Sequence, residues 1–154
     1  MAIVRCVDED RGTSSVRVLV VEDYEPFRRF VCSTLATRSE TQVVGEASDG
    51  LAAIQKADAL QPDLILVDIG LPKLNGLEAV RQIRKLSPTS KILFISQESS
   101  ADVVQEAFCL GALGYVIKTR AGTELLAAVD AVCDSRQFVS AGLSGHVPAK
   151  LADG

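Results

Sequence analysis

The sequence predicts an α/β fold in which a doubly wound parallel sheet carries helices on both faces. Five short apolar segments alternate with five amphipathic segments along the 154 residues, a pattern typical of such a sheet. The run Leu64-Ile65-Leu66-Val67 is continuously apolar, and Gly70 and Pro72 follow it closely, as expected for a central strand buried on both faces. With 47% hydrophobic residues, the chain can bury the core of a single domain.

Apolar runs and helix-starting residues set the expected elements in the first half of the chain. We predict strands at 16–22, 41–47 and 62–68. Pro26 suits the first turn of the first helix, Asp49 can begin the second, and Asn75-Gly76 opens the third. Helical spacing predicts the buried sides of these helices: Phe27, Phe30, Val31 and Leu35; Leu51, Ile54, Ala57 and Leu60; Leu77, Val80, Ile83 and Leu86.

The second half repeats the alternation of strand and helix. Strands are predicted at 91–96 and 113–118, and a fifth helix at 123–133. Ser99 or Ser100 can cap the fourth helix, and Gly111 ends it. The expected buried sides are Val103, Val104, Ala107 and Leu110, and then Leu125, Leu126, Val129 and Val132. We expect 1–15 to be a flexible amino-terminal tail, 16–138 the folded domain, and 139–154 a linker or carboxyl-terminal tail.

Composition excludes several classes of protein. A net charge of -4 argues against a nucleic-acid-binding surface spread over the chain. No apolar run is long enough to cross a membrane and no signal peptide is evident, so we expect a cytoplasmic protein without a membrane partner. No Cys-x-x-Cys pair occurs, and we expect small buried hydrophobes rather than a disulfide or zinc site at Cys6, Cys32, Cys109 and Cys133.

Polar residues end four of the five predicted strands, and right-handed crossovers bring these ends to one edge of the sheet. They are Glu22, Asp23, Asp68, Ser96 and Lys118. Three neighbouring carboxylates repel one another, and oxygen ligands suit Mg²⁺, with the backbone carbonyl of Gly70 as a further ligand. Lys118 and Ser96 can hold a phosphoryl group beside the metal. Asp68 can then act as the nucleophile, forming an acyl phosphate.

Five segments in chain order resemble the receiver domain of two-component response regulators, over about 16–138. They are Val-Leu-Val-Val-Glu-Asp, Asp-Leu-Ile-Leu-Val-Asp-Ile-Gly-Leu-Pro, Asn-Gly-Leu-Glu, Ile-Leu-Phe-Ile-Ser and Gly-Ala-Leu-Gly-Tyr-Val-Ile-Lys. The resemblance implies a flavodoxin-like (βα)5 sheet of order 2-1-3-4-5, with Asp68 accepting phosphoryl groups from a sensor histidine kinase. It implies Mg²⁺ at Glu22 and Asp23, and Tyr115 as the aromatic residue that moves with Ser96 on activation.

Other features concern the branch of the family and its variation. Gly-Tyr-Val-Ile-Lys-Thr, without proline after the lysine, and Phe-Val-Ser resemble the NarL/FixJ branch, in which a DNA-binding helix-turn-helix follows the receiver. Only a short stretch follows the fold here, so a stand-alone receiver and a piece of a longer regulator both stay open, as does a homodimer through the receiver. We expect no nucleic-acid binding by this chain alone. Gln97 replaces a usually small residue, and Gly70 and Glu98 occupy positions that tune dephosphorylation in the family.

The favoured function is therefore a phosphorylation-activated signalling switch without turnover of a separate substrate. One alternative is a magnesium-dependent phosphohydrolase, which would need a second carboxylate where Gly70 stands. Another is a non-phosphorylated pseudo-receiver that only binds partners, which would lack the acidic pair, the aspartate or the lysine. All of these residues are present.

Overall fold

The computed structural model describes residues 15–143, so only 1–14 of the expected tail at 1–15 and 144–154 of that at 139–154 lie outside these residues. The strands within this range are β1 Val16–Val21, β2 Thr41–Ala47, β3 Leu64–Val67, β4 Lys91–Ser96, β5 Gly114–Ile117 and β6 Phe138–Val139. The helices are α1 Glu25–Ala36, α2 Gly50–Leu60, α3 Gly76–Leu86, α4 Ala101–Cys109 and α5 Ala121–Cys133, with a 3₁₀ turn at Lys118–Arg120. All neighbouring strands are parallel, in the order β2-β1-β3-β4-β5-β6.

The predicted doubly wound sheet and its 2-1-3-4-5 order are confirmed. Since side chains alternate along each strand, the two faces of the sheet build separate cores. Leu19 and Val21 of β1 point to the core shared with α2, α3 and α4, whereas Val18 and Val20 point to the core shared with α1 and α5. β3 is buried throughout, as its continuous apolar run predicts.

Helix starts follow the expected capping chemistry. The side chains of Asp49, Asn75 and Ser100 each accept a hydrogen bond from a backbone amide in the first turn of α2, α3 and α4. Pro26 lies in the first turn of α1, where its missing amide hydrogen costs nothing. None of the helices described in 15–143 is long and apolar enough to cross a membrane.

The sixth strand was not predicted. β6 adds to β5 through hydrogen bonds from Phe138 N to Leu113 O and from Ser140 N to Tyr115 O. Ser140 is fully buried and Leu143 is 4% exposed within the core of the α2–α4 face, so packing continues through 139–143, which we expected to be linker or tail. A two-residue strand is too short to give a periodic signal, and its burial depends on the edge of β5.

The predicted buried sides of the helices are wrong at three large residues. Phe30, Leu51 and Leu86 are 39%, 49% and 42% exposed. In α2 the predicted Ala57 is fully buried, and so is Ala53, which was not predicted, because small side chains let a helix lie close to the strands. A prediction based on hydropathy places large apolar residues, rather than alanine, on the buried side of a helix.

The cysteine prediction is also wrong in part. Cys109 is exposed on α4, and Cys32 and Cys133 are only partly buried. Cys6 lies outside the described residues.

Candidate functional site

The carboxyl ends of β1, β3, β4 and β5 surround an open pocket of about 430 Å³. Glu22, Asp68 and Ser96 are almost completely buried at this edge, while Asp23 is exposed beside them. Lys118 follows β5 and reaches the same pocket. The five polar residues predicted from separate strand ends therefore come together in space.

Three carboxylates form a compact group in this pocket. One oxygen from each of Glu22, Asp23 and Asp68 lies within 4.8 Å of the others. Burial raises the pKa of Glu22, and the negative charge of Asp68 adds to this, against the hydrogen bonds from Lys118 and the Tyr24 amide. Oxygen-only donors at this spacing fit a hard divalent cation, whose charge would offset their repulsion.

Lys118 bridges two of these carboxylates. Its Nζ lies 2.9 Å from Glu22 Oε1 and 3.0 Å from Asp68 Oδ2, with 13% of the side chain exposed. Burial acts to lower the pKa of Lys118, but the hydrogen bonds and negative charges of both partners outweigh it, so the pKa is raised. The lysine is therefore an ammonium ion at neutral pH, fixed against Asp68.

The backbone around Asp68 is tightly constrained. Its amide donates to Val21 O at 3.1 Å, and the amide of Gly76 donates to Ile69 O at 2.7 Å. A Cβ on Gly76 would lie only 2.0 Å from Asp68 O, so only glycine lets α3 begin this close to the strand end. Gly70, in contrast, has no atom within 4 Å of an added Cβ.

Ser96 and Tyr115 are connected through one residue. The Ser96 hydroxyl accepts a hydrogen bond from Glu98 N at 3.1 Å, and the Tyr115 hydroxyl donates to Glu98 O at 2.7 Å. Tyr115 is fully buried, and burial raises its pKa to about 12, so it remains a hydrogen-bond donor. A change at Ser96 can therefore reach β5 through Glu98.

Known proteins share this architecture. Residues 18–130 match the family model described as the response regulator receiver domain. The chain belongs to this family. It is 30% identical to the transcriptional regulatory protein DegU of Brevibacillus brevis, over 86% of this chain and 56% of that protein. It is 37% identical to the response regulator protein VraR of Staphylococcus aureus, over 75% and 55% of the two chains. The chain thus spans about half the length of these curated relatives.

Solved structures agree with this assignment. A two-component response regulator of the LuxR family from Aurantimonas sp. SI85-9A1 has a TM-score of 0.82 and 29% identity, covering 87% of this receiver and 96% of that chain. The receiver domain of the putative response regulator NarL from Mycobacterium tuberculosis has a TM-score of 0.75 and 32% identity, covering 80% and 99%. These similarities are consistent with the NarL/FixJ branch and a flavodoxin-like fold.

Sequence reasoning missed three residues that line the pocket, Tyr24, Phe27 and Thr119. Phe27 was expected only as part of a buried helix side, yet its ring lies beneath the Lys118 ammonium. Its nearness in sequence to Glu22 and Asp23 was the available signal. Gln97 and Glu98 are exposed and also line the pocket, which places the two expected tuning residues at its rim.

Proposed function

We propose that this receiver is a phosphorylation-activated switch in which Asp68 accepts a phosphoryl group from a sensor histidine kinase. The observation that carries the proposal is the contact of Lys118 with Asp68 inside a cluster of three carboxylates. The ammonium supplies a positive charge where the phosphoryl oxygens would arrive. The relatives of this family support the same conclusion.

In this proposal the Asp68 carboxylate attacks phosphorus as the bond to the kinase histidine breaks, leaving an acyl phosphate and a neutral imidazole. Lys118 then exchanges its hydrogen bond to Asp68 for one to the phosphoryl oxygens. The hydroxyl of Ser96 leaves Glu98 N and donates to another of these oxygens.

The cluster of carboxylates is of the kind at which receiver domains bind Mg²⁺. We assign Glu22, Asp23, Asp68 and the Gly70 carbonyl as its ligands in this chain. These residues would hold the ion beside Asp68, where it would supply positive charge next to the phosphoryl group. Because the chain contains no tryptophan, calorimetry is the suitable assay. The assignment requires Asp23→Asn to weaken magnesium binding, and unchanged affinity would exclude it.

The activation step follows from the hydrogen bonds to Glu98. When Ser96 turns to the phosphoryl group, Glu98 N loses its partner and the loop carrying Glu98 can rearrange. The same residue holds the hydroxyl of Tyr115, whose ring is already fully buried here. We therefore propose that Tyr115 couples the site to the surface formed by α4, β5 and α5.

The rival functions fit this site less well. A magnesium-dependent phosphohydrolase would need an acid/base carboxylate at Gly70, where there is open space but no side chain. A pseudo-receiver would lack part of the group formed by Glu22, Asp23, Asp68 and Lys118, which is complete.

The lifetime of the phosphorylated state would be set by the side chains of Gln97 and Glu98 at the pocket rim.

Partners and location are also part of the proposal. A homodimer through the receiver would be compatible with an output surface at α4, β5 and α5. The net charge of -4 supports the absence of DNA binding by this chain alone. An output domain would lie in the additional length of the relatives, outside the part that this chain matches. A cytoplasmic location would give the kinase access to ATP.

Labelling with acetyl phosphate tests the phosphoacceptor. We expect wild-type protein to gain the mass of one phosphoryl group when magnesium is present and not in its absence, measured by intact mass spectrometry. Asp68→Asn should abolish the gain. Asp58→Asn, at an exposed aspartate of α2, is the matched control and should label normally. A gain that persists in Asp68→Asn would assign the acceptor elsewhere.

A further inference from the structure

Within residues 15–143, the aromatic ring that lies under the ammonium of Lys118 is that of Phe27. It is the third residue of α1 and lines the same pocket as Asp68. Lys118 Nζ lies 5.0 Å from the centroid of its ring. The face of an aromatic ring carries negative charge density, so an ammonium at this distance is attracted to it.

The ring is held in the same frame as the carboxylates. Arg28, the next residue, donates from Nη1 to the backbone carbonyl of Glu22 at 2.8 Å and pairs through Nε with Glu46 at 2.9 Å. These contacts attach the first turn of α1 to the ends of β1 and β2. The Phe27 ring also packs against Phe30, with centroids 5.7 Å apart. Its position relative to Glu22 is therefore set by the fold.

Lys118 needs such support because its task requires it to change partners. A lysine side chain is long and flexible, and its ammonium is strongly hydrated in water. In the structure its Nζ is held by Glu22 at 2.9 Å and Asp68 at 3.0 Å. When a phosphoryl group takes the Asp68 oxygen, one of these bonds is lost. The ring face remains available and does not compete for the phosphoryl oxygens.

We propose that Phe27 is a positioning residue for phosphotransfer, whose ring face keeps the Lys118 ammonium beside Asp68 while the lysine moves to the phosphoryl group. This role rests on the proposed function of Asp68. It is a property of the aromatic ring in this chain, since an aliphatic side chain of similar size would fill the space without attracting the charge.

Fluorination of Phe27 tests the ring charge without changing its shape appreciably. Phenylalanines carrying one, two or three ring fluorines, incorporated at position 27 alone, progressively weaken the negative face. We expect the rate of acetyl phosphate labelling to fall stepwise, by about tenfold over the series. Phe27→Leu should slow labelling to a similar extent. Phe27→Trp, which keeps an aromatic face, should be labelled at close to the wild-type rate. Magnesium affinity should change little in every variant.

Phe30 is the matched control, because it lies on the same helix one turn further and is 39% exposed. The same fluorinated residues at position 30 keep the ring shape that packs against Phe27, so labelling should stay unchanged. In a second measurement, nuclear magnetic resonance follows solvent exchange of the Lys118 ammonium protons without phosphodonor. Exchange should accelerate across the position 27 series and not across the position 30 series.

The outcomes separate this role from the proposed function. Wild-type protein that is not labelled on Asp68 would overturn both the function and the role of Phe27 in phosphotransfer. Normal wild-type labelling with equal rates across the position 27 series would overturn the role of Phe27 alone. Equal slowing by fluorination at positions 27 and 30 would also overturn it, since the effect would then arise from the helix rather than from the ring beneath Lys118.

Discussion

Gly76→Ala should slow the phosphorylation of Asp68, although Gly76 contacts neither the proposed metal site nor the phosphoryl group. The added Cβ would lie 2.0 Å from Asp68 O and 2.8 Å from Ile69 Cα. Both neighbours are backbone atoms, so no side chain can rotate away. Reaching an ordinary contact of 3.4 Å requires α3 or the end of β3 to move by about 1.4 Å. Asp68, the proposed phosphoacceptor, directly follows the end of β3.

This displacement sets the size of the effect. A misplacement of about 1 Å at a reacting group can cost on the order of 100-fold in rate. Alanine is favoured over glycine in a helix by up to about 1 kcal/mol, whereas overpacking costs about 1–3 kcal/mol. We therefore expect labelling of Asp68 to slow by about 10- to 100-fold. We also expect the free energy of unfolding to decrease by about 1–2 kcal/mol.

Gly122→Ala is the matched control because it lies in the first turn of α5, as Gly76 does in α3, with nothing within 4 Å of the added Cβ. It should keep both magnesium affinity and stability close to wild type, measured by calorimetry and urea unfolding. Acetyl phosphate labelling followed by intact mass gives the rates. If Gly76→Ala labels Asp68 as fast as Gly122→Ala and unfolds at the same urea concentration, the steric argument is wrong.

Three further perturbations test other parts of the domain. Gln97→Ala should speed both labelling and phosphoryl loss by more than about twofold, because the side chain lines the pocket that leads to Asp68. If both rates, measured by mass spectrometry, stay within twofold of wild type, Gln97 has no effect on phosphorylation. Tyr115→Phe removes only the hydroxyl bound to Glu98 O, and should abolish the phosphorylation-dependent change in amide exchange across α4, β5 and α5. Ser140→Ala removes the partner of Glu124 and of Ile117 N, and urea unfolding should show a loss of about 1–3 kcal/mol.

The Ser140→Ala effect should also depend on pH. Burial acts to raise the pKa of Glu124, but hydrogen bonds from Ser140, Arg120 and the Ala141 amide outweigh it and lower the pKa below its ordinary 4.5. A carboxyl with a lowered folded-state pKa contributes stability that is present above its unfolded value and lost as pH falls through the folded one. The difference between variant and wild type should therefore be largest above pH 4.5 and shrink below it. A difference that is independent of pH would contradict this role of Glu124.

The sequence by itself determined the layout of the sheet and the members of the polar cluster. Strands such as β3 are signalled by local apolar runs, and capping residues such as Asp49 mark helix starts through bonds within one turn. Because parallel strands joined by right-handed crossovers end at one edge, Asp68 and Lys118 could be placed together from the order of elements alone. These features depend on short-range chemistry and a general topological rule.

Only the tertiary structure decided which neighbours meet at closer range. The burial of Ser140 and Leu143 depends on the edge of β5, and the need for glycine at position 76 depends on Asp68 O, eight residues away in sequence. The position of the Phe27 ring under Lys118 depends on the contacts that hold the first turn of α1 against the end of β1. Such contacts join residues distant in sequence at separations of a few ångströms, and no pattern of residue types specifies distances of that size. The packing of the helices against the sheet sets these distances.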